Sequence, residues 1–448
     1  MYFSIVSTIF IVSLPIFTHG VPVSIGQQDS AIVGRNERAS ASTKLTIIKA
    51  AHPTGEHIVV VKDIKHLDEV MKLVPATMHK SLSKLAIIKG FAGKFTPEIL
   101  DKFLSNPNVE RVSQDGYMDY DSVSVQSNAP WNLVRLNIKG PILQSTPTEY
   151  KYDATAGSCA DVYVIDSGIN IHHDEFKHGA ATRAHWGATF GEYPAGTENT
   201  DQDGHGTAMA GIIAGTTHGV AKLANVYAVK IGGKRPADKN SEDPTRANVK
   251  KAIQGLNWVM ERAKENPGRR PIISMSIGTD NHLDFDKAVR AVIAQGIPVV
   301  ASAGNGKENK ETKEYEGVDA SVRSPAHLES VITVGAINRH NVRLYRSNFG
   351  KVVDLYAPGE DVATASAVDN SASASSTGTS PAAAHVAGLV AVLSCHPHVG
   401  ATVANPAAMH AKVIALSDQS KFNMNLGQVA IKADSHKRVA HLPAEIPA

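Results

Sequence analysis

Five short segments are almost wholly apolar, and this pattern constrains the fold more than any other feature of the sequence. Strands that are apolar on both faces are typical of a parallel sheet that is covered by helices on both sides. Residues 247–264 carry apolar side chains near helical spacing, among them Val249, Ile253 and Leu256. The sequence therefore predicts a doubly wound, mostly parallel α/β domain, with an active site beyond the carboxyl ends of the strands. The predicted strands are Val162–Ile165, Val226–Val229, Ile272–Met275, Pro298–Ala301 and Val331–Val334.

The region before this domain has the pattern of a small α+β unit. A chain of 448 residues is too long for one compact domain, so two or more folded units are expected. Thr96 is predicted to cap a helix that has Pro97 at its first position and stops at Asn106-Pro107. Alternating strands and helices in so short a region favour a ferredoxin-like fold. The other predicted elements are strands at Glu56–Val61, Leu85–Phe91 and Val109–Tyr120, a helix at Leu67–Leu73 and a polar linker at Asp121–Asn128.

The first 20 residues contain no Lys, Arg, Asp or Glu and include the mostly apolar stretch Ile5–Phe17. Small residues follow where a signal peptidase would cleave, so residues 1–20 are predicted to be a secretory signal peptide. A buried N-terminal helix is the alternative. No other apolar run is long enough to span a bilayer. The net charge of +2 gives no reason to expect nucleic acid or an anionic membrane as a partner.

Cys159 and Cys395 are the two cysteines of the chain, which is too few for a disulfide-based scaffold. They could pair, but the sequence does not show it. Because a large core can stabilise the fold without them, we favour two free or structural thiols.

Three residues at predicted strand or helix ends are candidates for catalysis. Asp166 directly follows a predicted strand, where a carboxylate can orient an imidazole; a turn or N-cap aspartate is the alternative. His205 lies between two glycines, which allow a sharp turn and leave the ring open. Ser380 begins an Ala-rich helix, whose free N–H groups and dipole favour an oxyanion; a simple N-cap serine is the alternative.

Taken together, the three residues are stronger evidence for a catalytic site than any one alone, because their order along the chain is Asp, His, Ser. From Ala129 to about Gly388 the sequence resembles the subtilisin-like serine proteases of the proteinase K branch. The matching segments are Val-Ile-Asp-Ser-Gly-Ile around Asp166, Gly-His-Gly-Thr around His205, Gly-Thr-Ser ending at Ser380 and Ser-Ala-Gly-Asn ending at Asn305. The resemblance implies a catalytic triad of the first three residues. It also implies an oxyanion hole made by the Asn305 side chain and the Ser380 N–H.

The N-terminal unit resembles the inhibitory propeptide that accompanies these proteases. Segments 57–62, 91–95 and 107–110 match its pattern, and Asn128-Ala129-Pro130-Trp131 matches the start of mature proteinase K-like enzymes. The resemblance implies a propeptide at 21–123, folded over about 45–121, and a peptidase domain at 124–448. Self-cleavage is then expected near Val123-Ser124, and the propeptide is expected to act as an intramolecular inhibitor.

The substrate-binding segments depart from the family pattern. Ser276-Ile277-Gly278-Thr279 stands where the family has Ser-Leu-Gly-Gly, which implies an altered wall for the S1 pocket. The charged stretches 233–247 and 306–318 either narrow specificity or are solvated surface, and we favour the second interpretation. Pro381 and Ala384 replace the family's Met and Pro, but a first-turn proline loses only an N–H that has no partner within the helix.

No metal or other cofactor is expected to take part in the chemistry. Asn338 stands where the proteinase K branch has a calcium-binding aspartate, which puts that structural calcium site in doubt. The expected partners are protein or peptide substrates and the chain's own propeptide, and a secreted monomer is expected. The rival hypothesis is an inactive homologue that acts as a binding or decoy protein. An α/β-hydrolase esterase is excluded because Ser380 lacks a Gly-x-Ser-x-Gly elbow and the order of the triad differs.

Overall fold

The chain forms two compact units, Met1–Met118 and Asp119–Ala448. The predicted signal peptide and most of the charged stretch 233–247 lie outside the described residues. The computed structural model describes residues 45–50, 53–116, 123–233, 246–311, 313, 315–419, 436–444 and 446.

The first unit contains a five-stranded sheet with two α-helices. Four antiparallel strands lie in the spatial order fourth, first, third, second, which is the ferredoxin-like order, and a short parallel strand extends the edge. Val59, Phe91 and Phe103 are fully buried in its core. The strands are Ile47–Ile48, Pro53–Val61, Ser83–Leu85, Gly90–Gly93 and Val109–Gly116; the α-helices are Leu67–Met71 and Pro97–Ser105; and 3-10 turns lie at Ile64–His66, Ala76–Ser81 and Ala86–Ile88.

The single strand predicted at Leu85–Phe91 is wrong. A 3-10 turn at Ala86–Ile88 and the left-handed Lys89, with φ 54°, divide it into two strands. Ile87 is 98% exposed, so an apolar residue that suggested a buried strand lies at the tip of a turn. The helix predicted after Thr96 is confirmed, with Thr96 at the N-cap position and Pro97 at the helix start.

The second unit is built on a seven-stranded sheet in which all the strands are parallel. All five predicted strands are present. Val162 and Val164 belong to the apolar core on one face and Tyr163 and Ile165 to the core on the other, as a covered parallel sheet requires. The strands, in spatial order, are Ala184–Thr189, Asn225–Lys230, Ala160–Asp166, Arg270–Met275, Val299–Ser302, Ile332–Ile337 and Leu355–Pro358.

Helices cover both faces of this sheet. The helix Thr379–Cys395 packs on one face and is buried at every residue from Thr379 to Ser394. The amphipathic helix predicted over 247–264 is observed at Val249–Glu265 on the other face, capped by the Asn248 side chain. The remaining helices are Trp131–Asn137, His205–Ala214, Leu283–Ala294 and Pro406–Leu416, with 3-10 turns at Asp174–Phe176 and Ala320–Val322.

Short antiparallel strand pairs complete the second unit. The strand Val123–Ser127 pairs with Glu149–Asp153, so the interpretation of Asp121–Asn128 as a linker is wrong for these five residues. Alternation of Val123 and Val125 with polar residues suits a strand, and its partner lies more than twenty residues further along the chain. The other pairs are Lys177–His178 with Ala181–Thr182, Thr279–Asp280 with Arg323–Ser324, Lys307–Glu308 with Tyr315–Glu316, and Val362–Ala365 with Ser373–Ser376.

The strand Ala160–Asp166 lies at the topological switch point of the sheet. Among the seven strands of the sheet it comes first in sequence, yet it lies between the strands Asn225–Lys230 and Arg270–Met275. The chain therefore adds strands on one side of it and later on the other. A crevice forms at such a point, outside the carboxyl ends of the strands. Asp166 is the last residue of this central strand and therefore lies at that crevice.

Cys159 and Cys395 form a disulfide, so the preference for two free thiols is wrong. Cys159 directly precedes the central strand, and Cys395 ends the buried helix that packs against the sheet. The packing brings their Cα atoms to 5.5 Å, although the residues are 236 positions apart. Among the residues that the structure describes, no helix has the length and apolar character needed to cross a membrane.

Replacing both cysteines by serine is expected to lower the free energy of unfolding by about 2–5 kcal/mol, because the disulfide closes a very long loop of the unfolded chain. Chemical unfolding of the double variant and its parent, both carrying Ser380→Ala to prevent proteolysis, measures the difference. Alkylation of the unreduced parent should find no free thiol; two alkylated cysteines would contradict the pairing.

Candidate functional site

The side chains of Asp166 and His205 contact each other at the switch point of the sheet. The His205 Nδ1 lies 2.8 Å from Asp166 Oδ1 and 2.9 Å from Oδ2. The carboxylate can only accept, so Nδ1 carries the proton and a neutral ring presents Nε2 as an acceptor. The side chain of Asp166 is 3% exposed and that of His205 16%, so the imidazole lies between the buried carboxylate and solvent.

The two glycines beside His205 have different roles. Gly204 is the N-cap of the helix His205–Ala214 and has φ 86°, a left-handed conformation that glycine adopts without strain. A Cβ on Gly206 would collide with the carbonyl oxygen of Gly168 and lie 3.2 Å from the Asp166 Cβ. Gly206 therefore allows the helix start to approach the loop after Asp166 closely enough for the histidine and the carboxylate to meet.

Ser380 is the second residue of the buried helix Thr379–Cys395, and Gly378 is the N-cap. The alternative interpretation of Ser380 as a simple N-cap is therefore wrong. Ser380 is 9% exposed, within the first turn, where backbone N–H groups lack helical partners and the dipole is positive. The Ser276 hydroxyl donates to the Ser380 carbonyl oxygen at 3.2 Å and links the helix start to the segment after the strand Arg270–Met275.

Asn305 lies against the start of the same helix. Its Oδ1 accepts hydrogen bonds from the Thr379 N–H at 2.8 Å and from the Thr379 hydroxyl at 3.0 Å. The Thr379 hydroxyl oxygen also accepts from the Gly304 N–H at 3.1 Å. Because Oδ1 is held in this way, the Nδ2 end of the amide is the donor that Asn305 can offer to a negative oxygen beside the first turn of the helix.

The predicted S1 wall, Ser276-Ile277-Gly278, begins with the Ser276 that contacts the Ser380 carbonyl oxygen. Ile277 packs against one of the two apolar cores, and the Gly278 carbonyl oxygen accepts a hydrogen bond of 3.0 Å from Arg323. The structure therefore brings Ser276 and Asn305 together at the start of the helix Thr379–Cys395. The predicted processing residues Val123 and Ser124 lie in the strand Val123–Ser127.

Asp201 was not predicted from the sequence, and it links the segments that carry Asp166 and His205. Its Oδ1 accepts from the Ser167 hydroxyl at 2.8 Å and the Gly204 N–H at 2.9 Å. Its Oδ2 accepts from the Thr207 N–H at 2.8 Å and the Thr207 hydroxyl at 2.6 Å. Burial raises the pKa of Asp201, and the hydrogen bonds to its carboxylate act in the opposite direction. The available signal was a carboxylate four residues before His205 in the sequence.

Asn338, at the position of the family's calcium-binding aspartate, does not fit a calcium site. Its side-chain oxygen accepts hydrogen bonds from the N–H groups of His340 at 3.0 Å and Val342 at 3.1 Å, and so it closes a turn. An amide oxygen engaged in this way offers neither charge nor a free lone pair directed at a cation. Among the described residues, no cluster of three or more acidic, His or Cys side chains could hold a metal ion.

The parallel sheet with its switch point at Asp166 is compatible with a hydrolase of the α/β class. Residues 158–425 match the family model described as the subtilase family, and the chain belongs to that family. It is a subtilisin-like serine peptidase, and the predicted family resemblance is confirmed.

Individual relatives agree with this assignment. The chain is 35% identical to "Subtilisin-like protease 2" of Pseudogymnoascus destructans over 359 residues. This alignment covers 79% of this chain and 80% of that protein. It is 35% identical over 337 residues to "Alkaline protease 1" of Aspergillus clavatus, covering 75% and 74% of the two chains. The crystal structure of a cold adapted subtilisin-like serine proteinase aligns with a TM-score of 0.56 at 27% identity, covering 70% of this chain and 98% of that one.

His385 is a fully buried histidine in the helix Thr379–Cys395. Asn132 Nδ2 donates to its Nε2 at 2.8 Å, so Nδ1 carries the proton and donates to the Pro381 carbonyl oxygen at 2.7 Å. Burial lowers the pKa of His385 to about 4. Protonation of Nε2 would oppose the Asn132 amide N–H, and therefore the neutral ring is the form that joins the helix Trp131–Asn137 to the helix Thr379–Cys395.

We expect His385 to make the fold less stable in acid. Between pH 6.5 and about 4 the unfolded chain binds a proton at this histidine and the folded chain does not, so the free energy of unfolding falls as the pH falls. The loss is of the order of 3 kcal/mol for a shift of this size. Chemical unfolding over this pH range should show a smaller loss for His385→Gln than for its parent, both with Ser380→Ala.

The neutral side chain of His385→Gln keeps one donor and one acceptor but does not titrate. His178 is exposed, so His178→Gln is the control: it removes a histidine without changing the buried titratable groups. Equal pH dependence in the parent and in His385→Gln would contradict the proposed contribution of the buried ring.

Proposed function

We propose that this chain is a secreted serine endopeptidase that is made as a precursor and matures by cutting its own chain. The observation that carries the proposal is the Asp166–His205 pair at the switch point of the sheet, with Asn305 held against the start of the Ser380 helix. The names of the two fungal relatives describe proteases, which supports peptide bonds as the substrate. No cofactor is needed for this chemistry.

In the proposed mechanism, His205 accepts the proton of Ser380 through Nε2 as the serine oxygen attacks the scissile carbonyl carbon. Asp166 keeps the proton on Nδ1 and stabilises the imidazolium that forms. His205 then gives its proton to the leaving amine, and an acyl-enzyme remains on Ser380. Water, deprotonated by His205, attacks the acyl-enzyme; the bond to the Ser380 oxygen then breaks, the acid product leaves, and His205 returns the proton to Ser380.

The oxyanion of each tetrahedral intermediate is proposed to lie between the Asn305 Nδ2 group and the Ser380 backbone N–H. The fixed orientation of the Asn305 amide supports this role, because its oxygen is bound to Thr379 before any substrate arrives. Ser276, Ile277 and Gly278 are proposed to form one wall of the S1 pocket, which receives the side chain before the scissile bond.

Residues 1–20 are proposed to direct secretion, and residues 21–123 to act as an intramolecular inhibitor until cleavage near Val123-Ser124. The ferredoxin-like order of the first unit supports the propeptide assignment. The disulfide between Cys159 and Cys395 supports an oxidising compartment, because such bonds persist outside the cytosol. The mature enzyme is proposed to act as a monomer, without nucleic acid or membrane as a partner.

Ser380→Ala is expected to abolish self-processing, because no other group would form the acyl-enzyme with the propeptide. Intact mass and N-terminal sequencing of the expressed protein provide the measurement. The wild type should be cut near Val123-Ser124, and the variant should keep its full length. If both proteins fold and neither is cut, the self-processing proposal fails and a binding or decoy function becomes the better explanation.

Asn305→Asp is expected to lower kcat by about 100- to 1,000-fold or more, because one oxyanion donor is lost and a negative charge takes its place. The aspartate keeps the oxygen that accepts from Thr379, so the helix start should stay in place. Steady-state kinetics on a peptide amide measure kcat and KM separately. Asn405→Asp is the matched control. Asn405 caps the helix Pro406–Leu416, and both asparagine and aspartate are good N-cap residues. A loss below about 10-fold would contradict the oxyanion role.

A further inference from the structure

Arg323 reaches the predicted S1 wall from a distant part of the chain. The two-residue strand Arg323–Ser324 pairs antiparallel with Thr279–Asp280, which directly follows the wall. The Arg323 Nη2 donates to the Gly278 carbonyl oxygen at 3.0 Å. The side chain of Arg323 therefore lies along the segment proposed to form the pocket.

The guanidinium end of this side chain lies between two glycines. A Cβ placed on Gly278 would be 2.9 Å from the Arg323 Nε and 3.2 Å from Cζ. A Cβ placed on Gly304 would be 2.8 Å from the same Nε and 2.7 Å from Cδ. One face of the arginine thus meets the predicted S1 wall, and the other meets the residue that precedes Asn305.

The donors of Arg323 are only partly used. Within the described part of the chain, its hydrogen bond goes to the Gly278 oxygen, and Nε is buried without a partner. Burial lowers the pKa of this arginine, with a smaller opposing effect from Asp280, whose side chain is 81% exposed. A guanidinium has five N–H donors, so Arg323 keeps donors beyond the one that binds the Gly278 oxygen, and a carboxylate matches the geometry of such donors.

We propose that Arg323 selects peptides with an acidic side chain immediately before the scissile bond. A substrate whose carbonyl oxygen lies at the Asn305 amide places that side chain beside Gly304, where the guanidinium lies. A glutamate or aspartate supplies the missing acceptor, whereas a large apolar side chain meets a charged group that already fills the space. This inference rests on the proposed function, since it assigns the substrate class of the same site.

The inference also affects self-processing. The bond after Asp121 lies two residues before the predicted Val123-Ser124 bond and has an acidic residue on its N-terminal side. The Val123-Ser124 bond belongs to the strand Val123–Ser127, where Val123 pairs with Asp153, so cleavage there requires unpairing. An acidic preference therefore predicts a mature chain that begins at Ser122.

The test compares peptide amides that differ only in the residue before the scissile bond: Glu, Gln, Ala or Phe. For the wild type, kcat/KM with Glu should exceed that with Gln by about 10- to 100-fold, as for one charge-assisted hydrogen bond. Arg323→Gln should remove this ratio, and Arg323→Lys should keep part of it. Arg290→Ala, on an exposed helix position, should leave the ratio unchanged.

Two outcomes overturn the inference: a wild-type preference for Ala or Phe over Glu, or an Arg323→Gln variant that loses activity equally on every peptide. The second outcome would assign Arg323 a structural role only. Failure of the proposed function looks different, because the wild type would then cleave none of the peptides and would match Ser380→Ala.

A second measurement needs no substitution at Arg323. Peptide aldehydes ending in Glu should inhibit the wild type about 10- to 100-fold more tightly than those ending in Gln, and added salt should reduce the ratio. Equal inhibition would overturn the inference. N-terminal sequencing of the mature enzyme adds an independent result: a start at Ser122 supports the acidic preference, and a start at Ser124 counts against it.

Discussion

The helix Thr379–Cys395 is buried over nearly its whole length, and the contacts of Asn305 and Ser276 at its start follow from that burial. Its sequence is small and apolar on all sides, so it can only lie between other elements. Its first turn, however, contains polar groups that must find partners away from bulk water. Asn305 and Gly304 meet this requirement through Thr379, and Ser276 meets it through the Ser380 carbonyl oxygen. The groups that satisfy the helix start are thus the groups proposed to surround the nucleophile.

A second buried element fixes the other half of the site. The Asp201 carboxylate accepts four hydrogen bonds from residues that flank Asp166 and His205, and so it joins two loops that approach from different strands. Lys230, fully buried at the end of a neighbouring strand, donates to the carbonyl oxygens of Thr197 and Thr200, just before Asp201. The geometry of the Asp166–His205 pair therefore depends on buried polar contacts as well as on the sheet.

The sequence predicted most of the sheet and the element ends at which Asp166 and Ser380 lie, because both depend on local pattern. Apolar runs are a direct consequence of burial on both faces, and Asp166 stands where such a run ends. The same signal failed at Ile87, where apolar residues form an exposed turn. The sequence did not show which residues pair across long separations: the partner of Cys159 lies 236 residues away, and the strand Val123–Ser127, despite its alternating pattern, pairs with Glu149–Asp153.

Substrate selection illustrates why such contacts escape a motif search. The catalytic chemistry comes from short segments that can be recognised one at a time, because each has a fixed backbone requirement of its own. The space beside them is filled by Arg323, which arrives through a strand pair only two residues long. Nothing near Arg323 in the sequence distinguishes it from an exposed arginine, and nothing near Gly278 or Gly304 indicates what will lie against them. If Gly278 lines the substrate pocket as proposed, the charge beside it comes from this tertiary contact alone, and relatives that share the recognisable segments need not share a substrate.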